Sequence, residues 1–191
     1  MAKLAFIITH LGSGYLDLVK TLSQAPRLQF EFEGTYTSTD LVLDMMNKPH
    51  KCKNTAKIHG GIVLQNHCFS VSSAHEFAKF IFLVKSPKSC FKELREHFQT
   101  DSACAEYYAR RLRRMSEMLN KVNNYFVLNY EEIINPLILS ELSNFLSLKF
   151  DLKSETNSDV FVDFKSKEAL ERCNRAYIQF NYVASALAKQ R

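Results

Sequence analysis

Residues 6–16 read Phe6-Ile7-Ile8-Thr9-His10-Leu11-Gly12-Ser13-Gly14-Tyr15-Leu16, an apolar run that stops at a Gly-Ser-Gly turn and resumes with helical spacing at Leu16, Val19 and Leu22. A strand that ends in such a turn and feeds a helix gathers backbone N–H groups and the positive end of the helix dipole at one point, where anions bind. Gly12, Ser13, Gly14 and Tyr15 are therefore the first candidate binding residues. The turn carries no Lys or Arg, whereas a phosphate loop ordinarily supplies a cation.

Outward from this stretch, short β-rich apolar runs alternate with helical patterns, which marks an α/β fold with a central parallel sheet. Strands are expected at Leu4 to Thr9, Leu28 to Phe32, Ala56 to His59, Lys79 to Val84 and Tyr125 to Leu128. Phe6-Ile7-Ile8 and Phe80-Ile81-Phe82-Leu83-Val84 are apolar without alternation, so both faces of these strands should be covered. Helices are expected at Tyr15 to Gln24, Ser102 to Asn123, Pro136 to Leu146 and Lys167 to Lys189. In the second of these, Tyr108, Leu112, Met115, Leu119 and Val122 form one apolar face. The stretch Lys149 to Ser166 reads as a surface loop, within which Val160 to Phe164 has strand character. The sequence shows no internal repeat and no domain boundary, so residues 1–191 are taken as one domain. Ligands of open parallel sheets sit beyond the carboxyl ends of the strands. The candidate site then combines the turn after the first strand, the strand end at His59 and the loop after Val84.

Composition narrows the function classes. A chain of 191 residues with 46% hydrophobic and 24% charged residues can bury a proper core. A formal net charge of +5 is mild beside that of a dedicated nucleic-acid binder, so no specific nucleic-acid partner is expected. Arg110-Arg111-Leu112-Arg113-Arg114 reads as a solvated helix face without interleaved aromatics for base stacking. The five cysteines are odd in number, with no Cys-x-x-Cys pair, which fits reduced thiols and a cytoplasmic location. Leu4 to Ile8 is too short for a signal core or a bilayer span, so no membrane association is expected. His50, Cys52, His67 and Cys68 lack the spacing of a metal site, and none is expected. Cys90 opens the helix after the Lys85 loop, with no base partner in view.

Three segments fall in a suggestive order: Gly12-Ser13-Gly14, Lys57-Ile58-His59-Gly60-Gly61, and Phe82-Leu83-Val84-Lys85-Ser86-Pro87-Lys88-Ser89. Together they resemble the sulfotransferase family, which moves a sulfuryl group from 3'-phosphoadenosine 5'-phosphosulfate to an alcohol or amine. Ser13 and Gly14 match the family's Pro-Lys/Arg-Ser-Gly-Thr-Thr loop, Lys57-Ile58-His59 its Lys-Thr-His element, and Lys85-Ser86-Pro87-Lys88-Ser89 its Arg-Asn/Asp-Pro-Lys/Arg-Asp element. A weaker match runs through Phe126-Val127-Leu128-Asn129-Tyr130-Glu131-Glu132-Ile133 and Leu142-Ser143-Asn144-Phe145-Leu146, similar to the family's strand, Tyr-Glu-Asp-Leu and Phe-Leu-Gly segments. The resemblance extends to about Phe150.

The resemblance implies a three-layer fold of the P-loop nucleoside-triphosphate-hydrolase-like type, with 3'-phosphoadenosine 5'-phosphosulfate as cofactor. Gly12, Ser13, Gly14 and Tyr15 would hold the 5'-phosphosulfate. Lys85 and Lys88 would hold the 3'-phosphate, and His59 would act as the base toward a small-molecule or glycan acceptor. The acceptor pocket would border Phe30, Phe32 and Tyr36. Two residues depart from the pattern: Gly12 stands where the family places a cation, and Glu93 lies near the family's phosphate-binding Ser. These departures define the alternative reading, an inactive sulfotransferase-like binding or interaction module.

Overall fold

The computed structural model describes residues 3–23, 30–32, 58–64, 78–147 and 164–189. The sequence expectations at Tyr36, Lys57, His50, Cys52, His67, Cys68 and most of 149–166 lie outside these residues. Five strands, β1 (Lys3–Ile8), β2 (Phe30–Phe32), β3 (Ile58–Leu64), β4 (Ala78–Val84) and β5 (Tyr125–Asn129), form one sheet in the order β2-β3-β1-β4-β5, with every pair parallel. The helices are α1 (Tyr15–Ser23), α2 (Pro87–His97), α3 (Asp101–Leu119), α4 (Pro136–Leu146) and α5 (Lys167–Ala188).

The two-residue period of a strand divides the apolar runs of β1 and β4 between two cores. Phe6, Ile8, Phe80, Phe82 and Val84 face a layer made by α2, α3 and α5, where Phe91, Tyr108, Leu112, Met115 and Phe180 complete the packing. Ala5, Ile7, Ile81 and Leu83 face the other way, onto Leu18 and Leu22 of α1 and Leu142 and Leu146 of α4. The expected burial of both faces is therefore present, and the fold is a three-layer α/β sandwich. Local chemistry sets the helix starts. Thr100 Oγ1 accepts from Ala103 N (3.2 Å) ahead of α3, and Asn135 Oδ1 accepts from Leu137 N (3.0 Å) ahead of α4. Pro87 and Pro136 open α2 and α4, at a position where the missing N–H costs nothing.

This architecture places the site. β1 and β4 are neighbours, yet α1 covers one face of the sheet while α2 and α3 cover the other. The chain therefore leaves the two strands in opposite directions and opens a crevice at their carboxyl ends, the ligand position of open α/β sheets.

One expectation needs correction. His59 does not end a strand; it lies at the start of β3, which runs on through Gly60 and Gly61 to Leu64. Lys3 pairs with Ile58 and Leu4 with Gly60, so His59 is the extra residue at an irregular step opposite the beginning of β1. Five further residues of strand, about 17 Å at the rise of a parallel strand, separate it from the level where β1 ends. Gly-Gly ordinarily punctuates structure, which is why the sequence alone points to a turn. Here parallel pairing with β1 on one side and β2 on the other carries the glycines through the sheet.

Candidate functional site

The turn after β1 is held from three sides. Gly12 and Gly14 both have positive φ, +75° and +72°, a backbone conformation that favours glycine. Ser13 is fully buried between them; its N–H donates to His10 O (3.2 Å) and its hydroxyl accepts from Thr9 Oγ1. The N–H of Leu11 donates to Tyr107 Oη (3.0 Å). The amides of Gly12 and Gly14 flank Ser13, next to the N-terminus of α1 at Tyr15. The cradle is narrower than four amides because the turn closes on its own Ser13.

Helix α3 fixes the strand ends. Tyr108 Oη donates to Lys85 O (2.7 Å), and Arg111 Nε donates to Thr9 O (2.7 Å) from a guanidinium that is almost fully buried. Arg110, Arg113 and Arg114 are exposed, so Arg111 separates from the basic run and joins the site. The clue in the sequence is its position between Tyr108 and Leu112 on the apolar face. His10 is also inside: Nδ1 donates to Leu11 O (2.7 Å), and Nε2 accepts from the N–H of Lys85 (3.1 Å). Lys85 N can only donate, which assigns the ring proton to Nδ1. Burial lowers the His10 pKa to about 4, helped by the positive charges of Arg111 and Lys85, while the bond to Leu11 opposes the shift. Both ring nitrogens are committed, so His10 ties β1 to β4 as a neutral imidazole.

Lys85 follows directly after β4 and is 2% exposed. Its Nζ lies 4.1 Å from the centroid of the Tyr130 ring and 3.6 Å from Glu93 Oε1. Tyr130 packs against Gly14, and its hydroxyl donates to Asp17 Oδ2 (2.7 Å) in the first turn of α1. Glu93 flanks Gly12 from α2. The ammonium therefore sits between residues that touch both glycines. Next to it, Ser86 N donates to Glu131 Oε1 (3.0 Å), so a carboxylate serves the N-terminus of α2.

No protein-family model and no curated protein matches the chain. Among solved structures, mouse sulfotransferase SULT7A1 complexed with PAP aligns with a TM-score of 0.54 at 15% sequence identity, covering 90% of this chain and 63% of that one. The fold is a sulfotransferase fold. The chain spans about 63% of the length of that neighbour.

On this sulfotransferase fold, Gly12, Ser13, Gly14, Tyr15 and Lys85 come together at one crevice. Lys88 is exposed on the first turn of α2 and makes no hydrogen bond or ion pair among the described residues. Phe30 and Phe32 belong to β2, at the edge of the sheet. The Tyr130-Glu131-Glu132 segment, part of the weaker match in the sequence, forms a single 3-10 turn behind Asn129 and delivers Tyr130 and Glu131 to the site. A side chain at position 12 would place Cβ 2.9 Å from Cys90 O and would have to adopt φ +75°. The glycine therefore belongs to the shape of this loop, and a loop cation could not be restored there without moving α2.

Cys90 is fully buried, and burial holds its thiol well above the ordinary range, so its place near the start of α2 does not yield a thiolate. Among the described residues, no group of three or more His, Cys, Asp or Glu is arranged to hold a metal, and no helix is long and apolar enough to cross a membrane.

Proposed function

We propose that the chain binds a 3'-phosphoadenosine nucleotide. The 5'-phosphate or phosphosulfate would sit on the amides of Gly12 and Gly14 at the head of α1, and Lys85 would serve the 3'-phosphate. The observation that carries this reading is the convergence of two positive-φ glycines, a helix N-terminus and a buried lysine at the crevice between β1 and β4. The PAP-bound sulfotransferase neighbour supports the same class of ligand. When bound, 3'-phosphoadenosine 5'-phosphosulfate would supply an activated sulfuryl group for an acceptor hydroxyl or amine on a small molecule or glycan. The chain's own contribution is to hold the phosphates and keep the loop rigid. The buried thiols Cys90, Cys104 and Cys173 are free, which supports a reducing, cytoplasmic setting.

A second reading, binding without transfer, is favoured by a specific observation. Among the described residues, the buried ammonium of the site already faces Glu93, and Asp17 and Glu131 stand at the two neighbouring helix starts. Three carboxylates oppose a polyanionic ligand and leave little positive potential to stabilise a leaving phosphate. Loss of one preorganised donor of that kind costs about two to three orders of magnitude in rate.

The two readings separate experimentally. Calorimetry with adenosine 3',5'-bisphosphate is expected to show binding to the wild type and a loss of about tenfold to a hundredfold in Lys85→Met. That variant keeps the apolar stem on Tyr130 and removes the charge-assisted contact. Glu93→Gln should bind about tenfold more tightly, because a carboxylate no longer competes for Lys85. A sulfur-labelled donor assay then distinguishes transfer from binding alone. Failure of the nucleotide to bind at millimolar concentration would remove both readings.

A further inference from the structure

The outer faces of α3 and α5 enclose an open groove of about 540 Å3, a volume in the range of small-molecule sites. It lies on the side of α3 turned away from Tyr108, Leu112 and the phosphate-loop crevice, and it shares no lining residue with that site. Arg110 and Arg113 reach it from α3, and Arg172 and Arg175 from α5. Glu106 pairs with Arg110 one turn away on the same helix. Arg113, Arg172 and Arg175 form no ion pair among the described residues. Three arginines from two helices thus line one concavity, and a planar guanidinium fork matches the oxygens of a phosphate or sulfate group in a two-bond geometry.

The rest of the lining narrows the ligand further. Gln179 and the Asn120 amide offer neutral donors and acceptors, while Ser116, whose hydroxyl donates to Leu112 O (3.0 Å), and Glu117 offer acceptors for ligand hydroxyls. With Glu106 and Glu117 against four arginines, the lining keeps a positive excess. Ala109, Ala176 and Val183 supply small apolar surface. No aromatic side chain is among the lining residues, so nothing there stacks a nucleobase. We infer that this groove binds a compact polyhydroxylated ligand bearing two or more phosphate or sulfate groups, that is, a phosphorylated or sulfated sugar or polyol.

Calorimetry in 0.15 M salt with inositol hexakisphosphate and sucrose octasulfate tests this, with neutral myo-inositol as the comparison. The wild type is expected to bind at least one of the anionic probes with 1:1 stoichiometry and to ignore myo-inositol, and the tighter probe tells phosphate from sulfate. Arg113→Ala/Arg175→Ala should lose about a hundredfold in affinity, from two charge-assisted contacts of about tenfold each. Arg113→Lys/Arg175→Lys should lose about tenfold, keeping the charge but not the fork. Arg114→Ala, an exposed arginine of α3 outside the groove, and Lys85→Met, in the nucleotide site, should bind like the wild type. The inference is overturned if neither probe binds at millimolar concentration or if Arg114→Ala loses as much as the groove variant. It is also overturned if a short DNA duplex displaces the probes more tightly than they bind.

Discussion

Gly14→Ala is expected to lower stability by about 3 kcal/mol, roughly 10 °C in melting temperature for a chain of this size. Two causes add. The residue has φ +72°, where a side chain costs about 1 kcal/mol. The new Cβ would also overlap the Tyr130 ring, lying 2.8 Å from Cζ and closer still to Cε2; overpacking of that kind costs about 1–3 kcal/mol. The ring cannot easily retreat, because its hydroxyl is bonded to Asp17 and its face carries Lys85. In a Tyr130→Ala background the same substitution should cost only the backbone share, about 1 kcal/mol. Denaturant titrations of the four proteins of this cycle measure the difference. Equal losses in both backgrounds would show that the ring does not limit the loop.

Acid should destabilise the protein through His10. The folded pKa, about 4, lies below the unfolded value of 6.5, so between these values the unfolded chain binds the extra proton. Stability from this group is fully present above pH 6.5 and is lost as the pH falls toward 4. The total is about 3 kcal/mol, since each pH unit between the two values contributes roughly 1.4 kcal/mol. Urea titrations at pH 7 and pH 4.5 measure the loss. His10→Gln, which cannot take up the proton, should show a clearly shallower slope over the same interval. Parallel slopes for the two proteins would mean that other groups carry the acid response.

Much of the fold was legible because its signals are local. The uninterrupted apolar runs of β1 and β4 announced strands covered on both faces, and the spacing of Tyr108, Leu112, Met115 and Leu119 located the buried face of α3. Val122 is buried as well, but beyond the helix, which ends at Leu119 rather than at Asn123. The Gly-Ser-Gly turn announced a strand-to-helix corner, and both glycines adopt the positive φ that explains them. The long-range pairings were not legible. Whether Gly60-Gly61 ends a strand or passes through one depends on β1 and β2 lying alongside, and no local pattern reports that. His59 was misplaced for this reason. Arg111 was hidden inside a basic run because its partner, Thr9 O, is 102 residues away in the chain. The Lys85–Glu93 pair was half visible: the family resemblance implies a carboxylate near a phosphate subsite, and the structure adds the 3.6 Å contact between the two side chains.

The central claim is that the amides of Gly12 and Gly14, with Lys85, receive the phosphates of a 3'-phosphoadenosine nucleotide. Amide NMR shifts recorded while adenosine 3',5'-bisphosphate is added test it most directly. The largest, saturable shifts are expected on Gly12, Gly14 and the first turn of α1, with a second set at Lys85 and Glu93. Shifts confined to the groove between α3 and α5, or none at millimolar nucleotide, would contradict it.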